Sequence, residues 1–268
     1  MEPERYVIDA SVQRGYVASR NARTFLPFLL PHLHAGMDIL DAGCGVGAIA
    51  LDLAKTVSPR RIVGIDIDAG QVAAARASAD EHGIGSAEFA VGSVYELPFA
   101  AGSFDVVYAN TVLLYLRDPV RALSEMRRVL RPGGIAAVSD DDISTIVFSP
   151  EIPGMSLGPT LFAKAVEHEG GNTTYSRHLR TLLRQAGFSR TQGYALTPET
   201  YGESESTRWM ADFAIGLFSA PSMAETIASQ GWASPAELDT LLSALREWGE
   251  RPDAFMTWLY CAALGWVD

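Results

Sequence analysis

The sequence predicts an α/β fold, a doubly wound, mainly parallel sheet with helices on both faces. Three observations predict it. Short apolar runs alternate with helical patterns from residue 37 to 140, the first run ends in a glycine-rich loop that opens a helix, and the second ends in carboxylates. A chain of 268 residues has room for one such domain carrying insertions.

Residues 11–35 read as helix interrupted near Pro27 and Pro31, with Phe25, Leu26, Leu29, Leu30 and Leu33 on the apolar side. Tyr6 and Tyr16, with Arg14, Arg20 and Arg23, precede the first strand. They either fold over a bound ligand's carboxylate or serve as packing and surface charge. The first strand and its loop read Ile39–Ala50, ILDAGCGVGAIA. Glycines here let a backbone approach a ligand closely, because they carry no Cβ. Gly43, Gly45 and Ala48 also satisfy the dinucleotide pattern, so the glycines alone leave two ligand classes open. Asp41 separates them: a carboxylate ahead of the loop crowds a pyrophosphate but suits a cationic group.

The second strand, RIVGIDID over residues 61–68, places Asp66 nineteen residues beyond Gly47, a spacing at which an acid receives a ribose diol. Asp68 reads as the cap of an alanine-rich helix, Ala69–His82, stopped at Gly83. Residues 87–91 form a third strand and 92–99 a loop. SFDVVYAN, residues 103–110, is a fourth strand. A helix opened by Pro119 follows, then the Arg131-Pro132-Gly133-Gly134 turn and a fifth strand, Ile135–Ser139.

A net charge of −11 argues against a nucleic-acid partner, and the basic cluster Arg127, Arg128 and Arg131 sits where it complements a helix dipole. Two cysteines, Cys44 and Cys261, give neither a disulfide framework nor a zinc site and suit a cytoplasmic location. The opening MEPERYVIDA lacks the pattern of a secretory leader, and no run of eighteen uncharged apolar residues calls for a membrane. A small-molecule substrate is the expected partner, and a homodimer is left open.

Taken together, ILDAGCGVG, VGIDID, VYELPF, SFDVVYANTVLLYL and LRPGG resemble class I S-adenosylmethionine-dependent methyltransferases of the ubiquinone/menaquinone-methylase type, over residues 37–140. The resemblance implies a Rossmann-like seven-stranded sheet with its last strand antiparallel, and S-adenosylmethionine as cofactor. It implies that Asp41 with Gly43 and Gly45 holds the methionine end, with Cys44 of the same loop also at the cofactor, Asp66 at the ribose, Ile67 at a face of the adenine, and Ser93 and Val94 at its edge. Asn110 and Tyr115 would face the cleft. Two departures stand out: relatives often carry Asp where this chain has Ser93, and His where it has Tyr115. The His168-Glu169-Gly170-Gly171-Asn172 turn and the C-terminal arrangement resemble a largely bacterial subgroup acting on small molecules, which implies a setting in secondary metabolism.

The implied organisation is an N-terminal helical segment (1–36), the cofactor-binding core (37–140, continued at 175–196), lid insertions at 141–174 and 197–253, and a C-terminal strand (254–268). Helix 175–186 and a sixth strand, 188–196, belong to the core. Methyl transfer needs a general base only when the acceptor holds its proton, and Tyr16, Asp141 and His168 are candidates by chemistry alone. Ser139-Asp140-Asp141-Asp142 reads either as a capped, solvated loop or as the polar end of an acceptor pocket. No metal is expected, because a second carboxylate after the fourth strand is missing. Two other readings stay open: a protein that uses the bound cofactor to promote a cyclisation, and a NAD-dependent oxidoreductase.

Overall fold

The computed structural model describes residues 10–268, so Tyr6 and the nine-residue start on which the leader reading rests lie outside the described residues. The N-terminal helix is broken more often than its prolines require. Helix α1 (Ala10–Val17) ends, Asn21 caps a single turn α2 (Ala22–Phe25) through the Thr24 amide, and a 3-10 turn spans Leu30–His32.

The core then builds as alternating strands and helices. These are β1 (Asp38–Ala42), α3 (Ala48–Thr56), β2 (Arg61–Asp66), α4 (Ala69–Glu81), β3 (Ala87–Val91), β4 (Phe104–Asn110), α5 (Pro119–Val129) and β5 (Leu130–Asp141). After β5 come β6 (Val147–Ser149), α6 (Leu157–His168), α7 (Leu179–Gln185), β7 (Arg190–Leu196) and β8 (Thr200–Tyr201). The chain closes with α8 (Ser204–Ser219), α9 (Pro221–Ser229), α10 (Pro235–Gly249), β9 (Phe255–Thr257) and β10 (Tyr260–Trp266).

Seven strands form one sheet in the order β3-β2-β1-β4-β5-β10-β7, with β10 antiparallel to both neighbours. The order reverses beside β1, which places a crevice beyond the C-terminal ends of β1 and β4. Strands β1 and β4 read as continuous apolar runs because helices cover both faces of the sheet, and Ile39, Leu40, Val106 and Val107 are fully buried. Helix α5 shows why one face is enough: Leu123, Met126 and Val129 go down onto the sheet, each burial contributing about 1.5–3 kcal/mol, while Arg121 and Ser124 stay outside.

Two departures from the sequence pattern bear on the cavity. The C-terminal apolar run is two strands, with Trp258 and Leu259 between them, because β9 leaves the main sheet to join β6 and β8 in a three-stranded antiparallel sheet. Strand β5 extends past Ser139 to Asp141, held there by β10 through the pairs Cys261↔Asp140 and Tyr260↔Asp141. That extension carries two acidic residues into the sheet.

Candidate active site

A cavity of about 740 Å³ lies along the C-terminal ends of β1, β2, β4 and β5. At one end the glycine loop turns from β1 into α3 with Gly43, Gly45 and Gly47 all at positive φ. Gly43 is the tightest of them: with φ at +87°, a Cβ there would stand 2.5 Å from Val112 Cγ2. Gly43 and Cys44 amides both donate to the Ile65 carbonyl, which ties the loop to β2.

Asp41 is buried at the cavity wall and accepts a hydrogen bond from the Tyr108 hydroxyl at 2.7 Å. Burial pushes its carboxyl up to about 7; the tyrosine bond opposes that rise and the charge of Asp66 adds to it. Asp66 uses both oxygens on the backbone, accepting from the Gly45 amide at 2.8 Å and the Asp68 amide at 2.9 Å. Its carboxyl is also raised by burial, against those amide bonds. One carboxylate therefore fixes the glycine loop to the start of α4 and still lines the cavity. Cys44 sits in the loop with its thiol pushed far up by burial, so it stays a neutral thiol.

The opposite end is apolar. Phe162 from α6, Met210, Phe213 and Phe218 from α8, and Met256 and Trp258 near β9 form the wall. Trp209 instead lies 38% exposed and stacks on Tyr16, whose ring also lies 4.5 Å from Phe213, centroid to centroid. Set into this end is a buried polar corner. Arg20 donates to Asn110 Oδ1 at 3.1 Å, Thr111 Oγ1 at 3.0 Å and the Tyr260 hydroxyl at 3.2 Å, and pairs with Glu199 at 3.5 Å. Its guanidinium lies over the Tyr16 and Phe25 rings. Glu199 also accepts from Tyr16 at 2.8 Å and from Tyr201. Thr111, a β-branched residue at φ +58°, holds a strained backbone at the lip of the cavity.

The three consecutive aspartates separate. Asp140 is fully buried away from the cavity wall, and burial holds its carboxyl far above the usual range. Asp141 lines the cavity. Asp142 caps the 3-10 turn Ile143–Thr145 and pairs with Arg177. Alternation along an extended strand is what distributes them.

Of the residues singled out in the sequence, Tyr16, Asp41, Gly43, Cys44, Gly45, Asp66, Ile67, Asn110, Tyr115 and Asp141 line one cavity. Ser93 and Val94 do not. Ser93 turns its hydroxyl to the Tyr95 amide and bridges to Glu96 within its own turn. His168 is not brought to the cavity either; it ends α6 with its ring edge-on to Trp232. The two glycines after it belong to packing: a Cβ at Gly171 would strike the Leu114 carbonyl, which accepts from the Asn172 amide at 2.7 Å. Sequence reasoning missed Tyr108, Thr111, Glu199 and Tyr260, and Gln71, whose buried Oε1 has no partner at the glycine-loop end. Among the described residues, no helix is long and apolar enough to cross a membrane.

Comparisons with known proteins bear on the family and the fold. A family model described as a methyltransferase domain matches residues 40–138. A probable methyltransferase of Aspergillus luteorubrus, ltbC, is 32% identical over 265 residues, covering 92% of each chain. The nocamycin O-methyltransferase of Saccharothrix syringae is 32% identical over 160 residues, 59% of this chain and 55% of its own. The crystal structure of the YcgJ protein of Bacillus subtilis shares the fold, with a TM-score of 0.60 at 19% identity over 91% of this chain and 98% of that one. Because the likeness to the Aspergillus protein runs almost from end to end of both chains, the chain belongs to the class I S-adenosylmethionine-dependent methyltransferases.

Proposed function

We propose that the chain methylates a small, partly apolar acceptor held at the aromatic end of the cavity, in a secondary-metabolic setting. The observation that carries this reading is continuity: one cavity joins the Asp41 and Asp66 carboxylates to the Phe162, Phe213, Phe218 and Trp258 wall. A volume of about 740 Å³ takes a cofactor and a modest acceptor, and not a polymer.

The residues present fit S-adenosylmethionine. Asp41 is a buried carboxylate whose neighbours are a tyrosine hydroxyl and a second carboxylate, so a ligand's ammonium supplies the counter-charge that the protein does not. Asp66 accepts one amide on each oxygen, which leaves acceptor capacity for a ribose diol. Gly45, where a Cβ would meet only Val17 at 3.9 Å, leaves the loop open to close approach. When bound, the cofactor supplies a methyl group activated by a positive sulfur. The chain's own contribution is to align the acceptor with that methyl and exclude water, an effect that supplies up to about 7–11 kcal/mol. Residues 141–174 and 197–253 act as a lid in this reading, because each sends side chains, Ile143 and Phe162 from one and Met210 and Phe218 from the other, to the same cavity wall.

Incubation with methyl-labelled S-adenosylmethionine and a small-molecule extract tests the proposal. Label should appear in low-mass, solvent-extractable products. Label confined to protein or nucleic acid, or a product rearranged without gaining a methyl group, would refute it.

A further inference from the structure

We infer that Asp141 is the general base for an aryl hydroxyl acceptor, with Arg20 as the positioning cation beside it. The inference rests on the proposed methyl transfer to a small molecule and adds to it the class of acceptor and the group that takes its proton.

Asp141 and Arg20 both line the apolar end of the cavity, and Arg20 is the one Lys or Arg among the described residues that do so. The corner is ordered from four directions. Arg20 comes from the segment after α1, Glu199 from the connection after β7, Tyr260 from β10, paired in register with Asp141, and Asn110 from the end of β4. Its polar capacity is not saturated by the protein: Oδ1 of Asp141 and Nε of Arg20 are buried with no hydrogen-bond partner. An acceptor oxygen and a cationic donor left over in one corner match a hydroxyl group. The hydroxyl donates while it holds its proton, and its oxygen becomes an anion as the proton leaves. An ammonium matches less well, because Arg20 already holds a positive charge there. The flanking wall of Phe162, Phe213, Phe218 and Trp258 suits a flat ring carrying that hydroxyl.

The charged and titratable groups acting on Asp141 set its working range. Burial raises its carboxyl to about 6, Arg20 opposes that rise, and Glu199 and Asp142 add to it; Tyr260, its partner on β10, and Asp140, its neighbour on the other face of β5, also interact with it electrostatically. Asp141 is thus ionised at neutral pH and close enough to a hydroxyl in basicity to exchange a proton with it. In the step, Asp141 takes the hydroxyl proton as the oxygen–carbon bond forms. The sulfur–methyl bond breaks with its electron pair staying on sulfur, which becomes neutral, and the proton leaves Asp141 for solvent after product release.

The test uses S-adenosylmethionine with naphthol, naphthylamine and para-nitrophenol as probes, on the wild type and Asp141→Asn. Naphthol should be methylated on oxygen, and Asp141→Asn should lower its turnover about a hundredfold or more. With para-nitrophenol, which gives up its proton far more readily, that deficit should shrink at least tenfold. Naphthol binding in the presence of S-adenosylhomocysteine, followed by fluorescence without turnover, should weaken below about pH 6 in the wild type and lose that dependence in Asp141→Asn. Equal deficits with both hydroxyls, a variant as active as wild type, preference for naphthylamine, or no binding and no methylation of either hydroxyl would each overturn the assignment. Failure of S-adenosylhomocysteine itself to bind would instead overturn the proposed function beneath it.

Discussion

Protonation of Asp41 gives a quantitative prediction for cofactor binding. The carboxyl lies at about 7 in the cofactor-free protein because it is buried, against an ordinary value of 3.8. An ammonium beside it binds the ionised form, so binding must first remove the proton wherever Asp41 holds one. With the carboxyl at about 7, the ionised fraction falls from one half at about pH 7 to roughly one hundredth at about pH 5. Affinity for S-adenosylhomocysteine should therefore weaken about 50-fold across that interval, or about 2.3 kcal/mol. The sign for stability is opposite. A carboxyl raised in the folded state contributes stability fully present below 3.8 and lost as pH rises through about 7, so on this account the cofactor-free protein loses stability over the window in which binding strengthens. Calorimetric titration at several pH values, in buffers of different ionisation heat, measures both affinity and proton release. Asp41→Asn keeps the shape and removes the titration, so it should bind weakly at neutral pH with a much flatter profile. Any slope that remains belongs to Asp66, which burial also raises. A flat wild-type profile, or the same slope in Asp41→Asn, would refute the reasoning.

Three further outcomes are expected. Gly43→Ala places a Cβ 2.5 Å from Val112 Cγ2 at φ +87° and should cost about 2–4 kcal/mol of stability, less in a Val112→Ala background, as read by urea unfolding; equal midpoints would count against the loop geometry. Asp38, buried at the far end of β1, holds Arg60 and Arg131, and their charges keep its carboxyl below the ordinary range. Its contribution is present above 3.8 and lost as pH falls through the folded value, so Asp38→Asn should cost about 1.5–3 kcal/mol at neutral pH, with the gap closing in acid; a gap that persists in acid would rule out the ion-pair account. Hydrogen exchange should show residues 141–174 and part of 197–253 gaining protection together when S-adenosylhomocysteine binds, and protection confined to the glycine loop would argue against a lid.

What the sequence made legible was local. The glycine loop, Asp41 ahead of it and Asp66 at the end of β2 are written within thirty residues, and each spacing has a chemical reason. The partner of Asp41 was hidden, because Tyr108 meets it only through the β1–β4 register, 67 residues away. Arg20 stood out as a basic residue among aromatics, yet Glu199 carried no signal; the two meet across 179 residues of chain. The strands β6, β8 and β9 are two or three residues long, too short for alternation to declare them. The aspartate run shows the limit most clearly. Its composition marked a polar rim, but only the continued pairing of β5 with β10 decides that Asp141 faces the cavity while Asp140 and Asp142 do not.

The most direct test of the account is a crystal structure with S-adenosylhomocysteine. The account predicts the amino group at Asp41, the ribose hydroxyls at Asp66, and the sulfur turned toward the corner of Asp141 and Arg20, with the aromatic wall closed over it. A ligand whose sulfur faces solvent, or whose ribose lies away from Asp66, would contradict it.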